Sequence, residues 1–145
     1  LKNLLAATLE GLEARPVDVE ATFTKGLPAF GIVGLAGSSI QESKERVKSA
    51  LLTNGFSFPP LRITVNLSPS DINKSGSHFD LAIALAIALQ DEDVPMEGTY
   101  VFGELGLDGK VKDTRSIFPI LLSLKNWGVL ERAIVPKESL ETLSL

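Results

Sequence analysis

The sequence predicts a mixed α/β domain of the α+β class, and three observations carry that reading. The segments VDVEATF (Val17 to Phe23) and LRITVNL (Leu61 to Leu67) alternate apolar and polar residues, the period-two pattern of strands with one face buried. Two longer segments, from Ser38 towards Gly55 and from Phe79 to Leu89, carry helical patterning instead. Along the chain the elements run strands, helix, strand, helix, strands, helix, strand, helix, which suits one layered domain. A chain of 145 residues that is 44% hydrophobic and 22% charged can bury a proper core and has the length of one domain, or of one domain and a piece of a neighbour. Its start on leucine and its close on LETLSL predict a fragment of something longer.

Each element has a local cause. Leu4 to Ala14 fits a strand edge or a frayed helix, and strand is the preferred reading. Val17 to Phe23 is the first clear strand. KGLP (Lys25 to Pro28) is a turn signal, and AFGIVG (Ala29 to Gly34) is a second strand, so the two read as a hairpin. Ser38 or Ser39 can cap the first helix, with Gln41 or Glu42 three residues on completing a capping box. Ile40, Val47, Ala50 and Leu51 make its apolar stripe, and Gly55 stops it. FPP then breaks the chain before the strand Leu61 to Leu67. SPSDINKSGSH (Ser68 to His78) is rich in turn formers and reads as a loop. Phe79 to Leu89, apolar on nearly every side, reads as a central, buried helix. TYVFGEL (Thr99 to Leu105) reads as a strand, and LDGKV (Leu107 to Val111) holds an Asp-Gly hairpin signal. Ser116 to Trp127 reads as a helix that admits Pro119 only in its first turn. RAIVP (Arg132 to Pro136) reads as a short buried strand, and KESLETLSL as a final helix.

Composition excludes several chemistries. There is no cysteine, so disulfides, thiolate metal sites and thiol nucleophiles are out, and the cytosol is the simplest compartment. One histidine cannot build an ordinary histidine-rich zinc site. The net charge of -4 does not carry the footprint of a chain-wide nucleic-acid binder, although a local basic patch stays open. The longest apolar run is too short to span a bilayer, and the N-terminal stretch lacks the pattern of a secretory signal. No membrane partner is expected.

Three stretches could carry chemistry. KSGSHFD places Ser75, Ser77, His78 and Asp80 close together, which suggests a hydrolase. A triad, however, needs side chains that converge, usually from separate elements, and residues two apart on a helix point to different sides. The structural alternative is a helix start, with Ser75 or Ser77 accepting from free backbone N–H groups and Asp80 favouring the positive end of the helix dipole. FGIVGLAGSS (Phe30 to Ser39) places Gly31, Gly34 and Gly37 before a helix, as a phosphate-binding turn does, but it lacks both the GxxxxGK[ST] lysine and the GxGxxG spacing. Close packing is the preferred reading. Lys44, Arg46 and Lys48, with Arg62 and Lys74, form a basic set that glutamates interleave, which reads as a solvated face. The polar loop Asn73, Lys74, Ser75, Ser77 and His78 is expected to be exposed and to be the place for a residual contact. No catalytic, cofactor-binding or metal-ligating residue is assigned.

Four stretches in this order, GLPAFGIVGLAGSSIQESKERVKSALLTNGFSFPPLRITVNLSPSD, KSGSHFDLAIALAIAL, FGELGLDGKV and AIVP, resemble the N-terminal domain of magnesium-chelatase-like AAA+ ATPases, the group that includes competence-associated proteins. The resemblance covers nearly the whole chain. It implies a fold like the second domain of ribosomal small-subunit protein 5, shared with the Lon protease domain. It also implies a parent with a following ATPase module that carries the P-loop, binds ATP and Mg and builds a hexameric ring. The competence-associated members act as helicases on DNA in recombination. This chain would then be a non-catalytic accessory domain without a cofactor of its own, serving assembly, regulation or substrate engagement. Its partners would be its own AAA+ module and neighbouring subunits, with DNA left open.

The likeness to Lon implies a comparison of sites. Setting Gly76 at the first glycine of Lon's nucleophile loop puts His78 at the serine position and Ser77 one residue early. Without gaps, Phe118 stands at the position of Lon's catalytic lysine, and no lysine lies between Lys112 and Lys125. A serine without a base is a weak nucleophile. The alternative to the accessory domain is a Lon-like serine hydrolase using Ser75 or Ser77, with Lys74 or Lys112 as base.

Overall fold

The computed structural model describes residues 3–143. The strands are β1 (Leu4–Glu10), β2 (Glu13–Thr24), β3 (Ala29–Val33), β4 (Arg62–Ser68), β5 (Thr99–Val101), β6 (Glu104–Leu105), β7 (Val111–Lys112) and β8 (Arg132–Ile134). The helices are α1 (Ser38–Gln41), α2 (Ser43–Thr53), α3 (Asp80–Ala88), α4 (Ile117–Asn126) and α5 (Ser139–Leu143), and a 3-10 turn, Ser77–Phe79, leads into α3. Ser144 and Leu145, the tail of the expected final helix, lie outside the described residues.

Six strands form one mixed sheet in the order β3-β4-β2-β1-β5-β8. The β1/β2 and β2/β4 pairs are antiparallel, and the β1/β5, β3/β4 and β5/β8 pairs are parallel. The period-two alternation explains the layering. Leu4 and Ala6 of β1, with Val17, Val19 and Ala21 of β2, join a core with Val47, Leu51, Ile83 and Ile87 of α2 and α3. Ala7 and Ala14, from the other face, join Ile117, Ile120, Leu121 and Leu124 of α4. Helices therefore cover both faces, and β1 is buried on both. That is why LLAATLE shows little alternation and was hard to assign from its pattern.

Four sequence expectations are corrected. The segments Val17 to Phe23 and Ala29 to Gly34 do not form a hairpin: β2 turns back onto β1, and β4 inserts between β2 and β3. Turn residues mark a reversal of the chain, not which strand will be its neighbour. The first helix is two segments, and neither is capped by a side chain, because Gln41 donates instead to the Ile32 carbonyl and Ser39 Oγ accepts from Gly76 N–H. Thr99 to Leu105 divides: β5 stays in the large sheet, while β6 and β7 make a separate hairpin with Glu104 opposite Lys112. β8 is a sheet edge with all three residues exposed, not a buried strand. The helix from Phe79 is central as expected, with Ala82, Ile83, Ala84, Ala86 and Ile87 buried.

Candidate functional site: the loop that enters helix α3

Three parts of the chain meet at the loop before α3. The segment Leu35–Gly37 runs beside Lys74: Lys74 N–H donates to the Leu35 carbonyl at 3.0 Å, and Gly37 N–H donates to the Lys74 carbonyl at 2.9 Å. Ser39 Oγ accepts from Gly76 N–H at 2.8 Å, and Thr8 Oγ1 of β1 accepts from Ser75 N–H at 3.3 Å. Glycine is required at two of these positions. Gly34 has φ +106, and a Cβ there would lie 2.1 Å from the Leu67 carbonyl oxygen. Gly76 has φ +112, and a Cβ there would lie 2.4 Å from His78 Nδ1. Of the glycines of FGIVGLAGSS, Gly34 and Gly37 thus serve close backbone approach, as the packing reading expects, whereas a Cβ at Gly31 would meet nothing within 4 Å.

The loop is not the exposed polar surface expected. Asn73 and Ser75 are exposed, Ser77 is half-buried, and Lys74 and His78 are buried. The Lys74 ammonium donates to the Gly34 carbonyl at 2.6 Å and to the Pro69 carbonyl. Burial holds its pKa below the ordinary lysine value, with Asp71 acting in the opposite direction. An amine held by two carbonyls is not presented to Ser75 or Ser77, and neither serine caps the 3-10 turn or α3.

His78 and Asp80 leave the loop in different directions, as their spacing predicts. His78 Nε2–H donates to the Ala7 carbonyl at 2.8 Å. A carbonyl oxygen can only accept, so the neutral ring carries its proton on Nε2 and Nδ1 is an acceptor. Ser116 Oγ–H fills it at 3.0 Å, and Thr114 Oγ1 lies 3.0 Å from Ser116 Oγ. Burial pushes the His78 pKa down, the Ala7 hydrogen bond acting the other way, so the neutral ring is favoured. Ser116 stands at the N-cap of α4, where its hydroxyl serves the imidazole and not the helix. By sequence Ser116 is only a helix start, and nothing local in RSIFP signals a partner 38 residues away.

Asp80 is also not an exposed cap. Its carboxylate is fully buried, takes Arg46 Nε at 2.6 Å and Nη2 at 3.1 Å, and accepts from Leu105 N–H at 3.0 Å. Arg46, expected on a solvated face, turns inward and also donates to the Ser39 carbonyl. The hydrogen bond to Asp80 raises the pKa of Arg46. Burial outweighs the help from Arg46 at the carboxyl, which sits above the usual aspartate value. The result is a bidentate clamp between α2, α3 and β6.

Among the described residues, no group of three or more His, Asp or Glu could hold a metal ion, and no helix is long and apolar enough to cross a membrane.

The sequence family described as "Subunit ChlI of Mg-chelatase" matches residues 19–139. An uncharacterized protein of Mycobacterium tuberculosis is 36% identical over 148 residues, which cover all of this chain and 29% of that protein. Uncharacterized protein YifB of Escherichia coli is 36% identical over 105 residues, 70% of this chain and 21% of its own. Competence protein ComM of Haemophilus influenzae is 35% identical over 116 residues, 78% of this chain and 23% of its own. The chain therefore spans less than a third of the length of these relatives.

Proposed function

The chain belongs to the family of subunit ChlI of Mg-chelatase, and from that premise we propose that it is an accessory domain of a competence-associated AAA+ ATPase. In this reading the domain serves ring assembly, regulation or the engagement of DNA, and an ATPase module elsewhere in the parent handles ATP and Mg. The observation that carries it is the match across residues 19–139, joined to a likeness to a named competence protein of which this chain covers 23%. The residues present do not fit a nucleotide phosphate. Among the described residues, the glycine-rich turn before α1 is closed against Leu67 and Lys74, and the nearby ammonium is held by carbonyls.

The reading extends to a Lon-like fold. What supports it is that the loop before α3 and the start of α4, the two places the resemblance pairs as nucleophile and lysine, meet through His78 and Ser116. The serine–lysine pair itself is not formed by Ser75 or Ser77 with Lys74, since that amine points to Gly34 and Pro69.

The test is ATP turnover by this chain beside that of a full-length parent. The expected result is turnover by the parent and none by the chain; hydrolysis by the chain at the parent's rate would sink the reading. DNA engagement is tested by titrating single- and double-stranded DNA at low and at physiological salt. Phosphate contacts predict binding that weakens steeply as salt rises. Absence of binding at low salt would restrict the domain to contacts with protein.

A further inference from the structure

We infer that Ser116 is a base-activated serine nucleophile with His78 as its general base, able to accept the acyl group of an ester. This inference goes beyond the accessory role and does not depend on it. A serine hydroxyl is a weak nucleophile unless a base within hydrogen-bond reach takes its proton and a third group orients that base. All three parts are present. Ser116 Oγ lies 3.0 Å from His78 Nδ1. The Ala7 carbonyl, 2.8 Å from Nε2, fixes the only tautomer in which Nδ1 can receive a proton. The closeness of Gly76 to Nδ1 and the tilted packing of Phe79 and Phe102, with ring centroids 4.7 Å and 6.2 Å away, hold the imidazole plane.

Access is arranged in the useful order. The base is buried, whereas Thr114 and Ser116 are half-buried and Arg115 and Phe118 are exposed. Ser116 is therefore the more accessible member of the pair. It also opens α4, a helix of 10 residues; in the first turn Ile117 N–H already donates to the Thr114 carbonyl at 3.3 Å and Pro119 has no N–H, which leaves Phe118 N–H as the donor at that end. An oxyanion forming at an acyl carbon on Ser116 Oγ would face the positive end of that helix.

The chemistry balances without a co-reactant beyond water. Ser116 Oγ attacks the ester carbonyl carbon and its proton passes to His78 Nδ1, giving an imidazolium that still donates from Nε2–H to Ala7. Collapse of the tetrahedral intermediate breaks the bond to the leaving alkoxide, which takes the proton back from Nδ1. Water then attacks the acyl-serine by the same route and releases the carboxylic acid. Ser75 and Ser77 have no such base within reach, so this is a different site from the loop serines.

The experiment is labelling of the whole chain with a fluorophosphonate, mapped by mass spectrometry, beside the burst of p-nitrophenol from p-nitrophenyl acetate. Expected are modification at Ser116 at least tenfold faster than at exposed Ser38, a burst near one equivalent, and loss of both in Ser116→Ala. The rate at Ser116 should fall about tenfold per pH unit below the His78 pKa, because only the neutral ring accepts a proton. That profile is read on the native protein and does not depend on a His78 variant folding. Labelling of Ser116 no faster than Ser38, labelling that survives Ser116→Ala, or a rate flat across the histidine range would each overturn the inference.

Discussion

Arg46→Ala should destabilise the fold far more than the loss of a helix-surface arginine. The partner of Arg46 is Asp80, whose side chain has no exposure, while Arg46 itself keeps 22% of its side-chain surface in water. Truncation removes two charge-assisted hydrogen bonds, of 2.6 and 3.1 Å, and leaves a buried carboxylate with the Leu105 N–H as its remaining partner. Removing one member of a buried pair costs about 3–5 kcal/mol, because the surviving charge stays desolvated. The partial exposure of Arg46 places this case at the lower end, about 3 kcal/mol. For a chain of this length the unfolding entropy is about 0.3 kcal/mol per kelvin near the midpoint, so the melting temperature should drop by about 10 °C. The pH dependence gives an independent check. Arg46 is the largest influence lowering the Asp80 pKa, which burial already holds above the ordinary value. In the variant that pKa rises further. A group whose folded pKa is raised loses its favourable contribution as pH rises through that pKa, so the deficit should be largest near neutrality and shrink towards pH 4. The assay is thermal and urea unfolding of wild type and Arg46→Ala between pH 4 and 7, with Asp80→Leu and the double variant closing a cycle. A melting shift below about 3 °C at pH 7, which corresponds to less than about 1 kcal/mol, would place the pair among solvated surface pairs and refute the reasoning.

Three other outcomes are expected. His78 is the only histidine, so its ring protons report one titration by NMR; burial should place that pKa below the ordinary 6.5. The unfolded chain then binds the proton first, so stability should decline as pH falls from 6.5 towards the folded pKa, a slope that His78→Gln should lack. Gly34→Ala should cost about 2–4 kcal/mol in urea unfolding, since its Cβ would meet a backbone oxygen that cannot rotate away. Lys74→Ala should cost about 2–3 kcal/mol by the same assay, leaving the Gly34 and Pro69 carbonyls without their donor and a void where the buried stem lay.

Local pattern carried much of the fold. Val17 to Phe23 and Leu61 to Leu67 fall inside β2 and β4, because alternation is a property of the strand itself. Phe79 to Leu89 is helical and buried because an all-round apolar face leaves no other place for it. Pattern failed where a neighbour decided. The partner of β2 across its second edge is β4, from beyond two helices. β8 reads as buried from its composition but is exposed because it lies at the sheet's end. The site divides in the same way. The spacing of His78 and Asp80 was enough to reject a triad of adjacent residues. It could not show that Lys74 is buried, that Arg46 turns inward, or that the hydroxyl beside the imidazole belongs to Ser116.

By itself, the sequence determined where most strands and helices lie, which of their faces are apolar, which thiol and metal chemistries are excluded, and, through ordered stretches from Gly26 to Pro136, the family. These rest on interactions within a few residues, or on composition, and both are written along the chain. Only the tertiary structure decided the strand order, the carbonyl cradle of Lys74, the clamp of Arg46 on Asp80, and the run from Thr114 through Ser116 and His78 to Ala7. Each joins residues far apart in sequence, and each follows from the need of a buried donor, acceptor or charge to find its partner wherever packing brings one within about 3 Å.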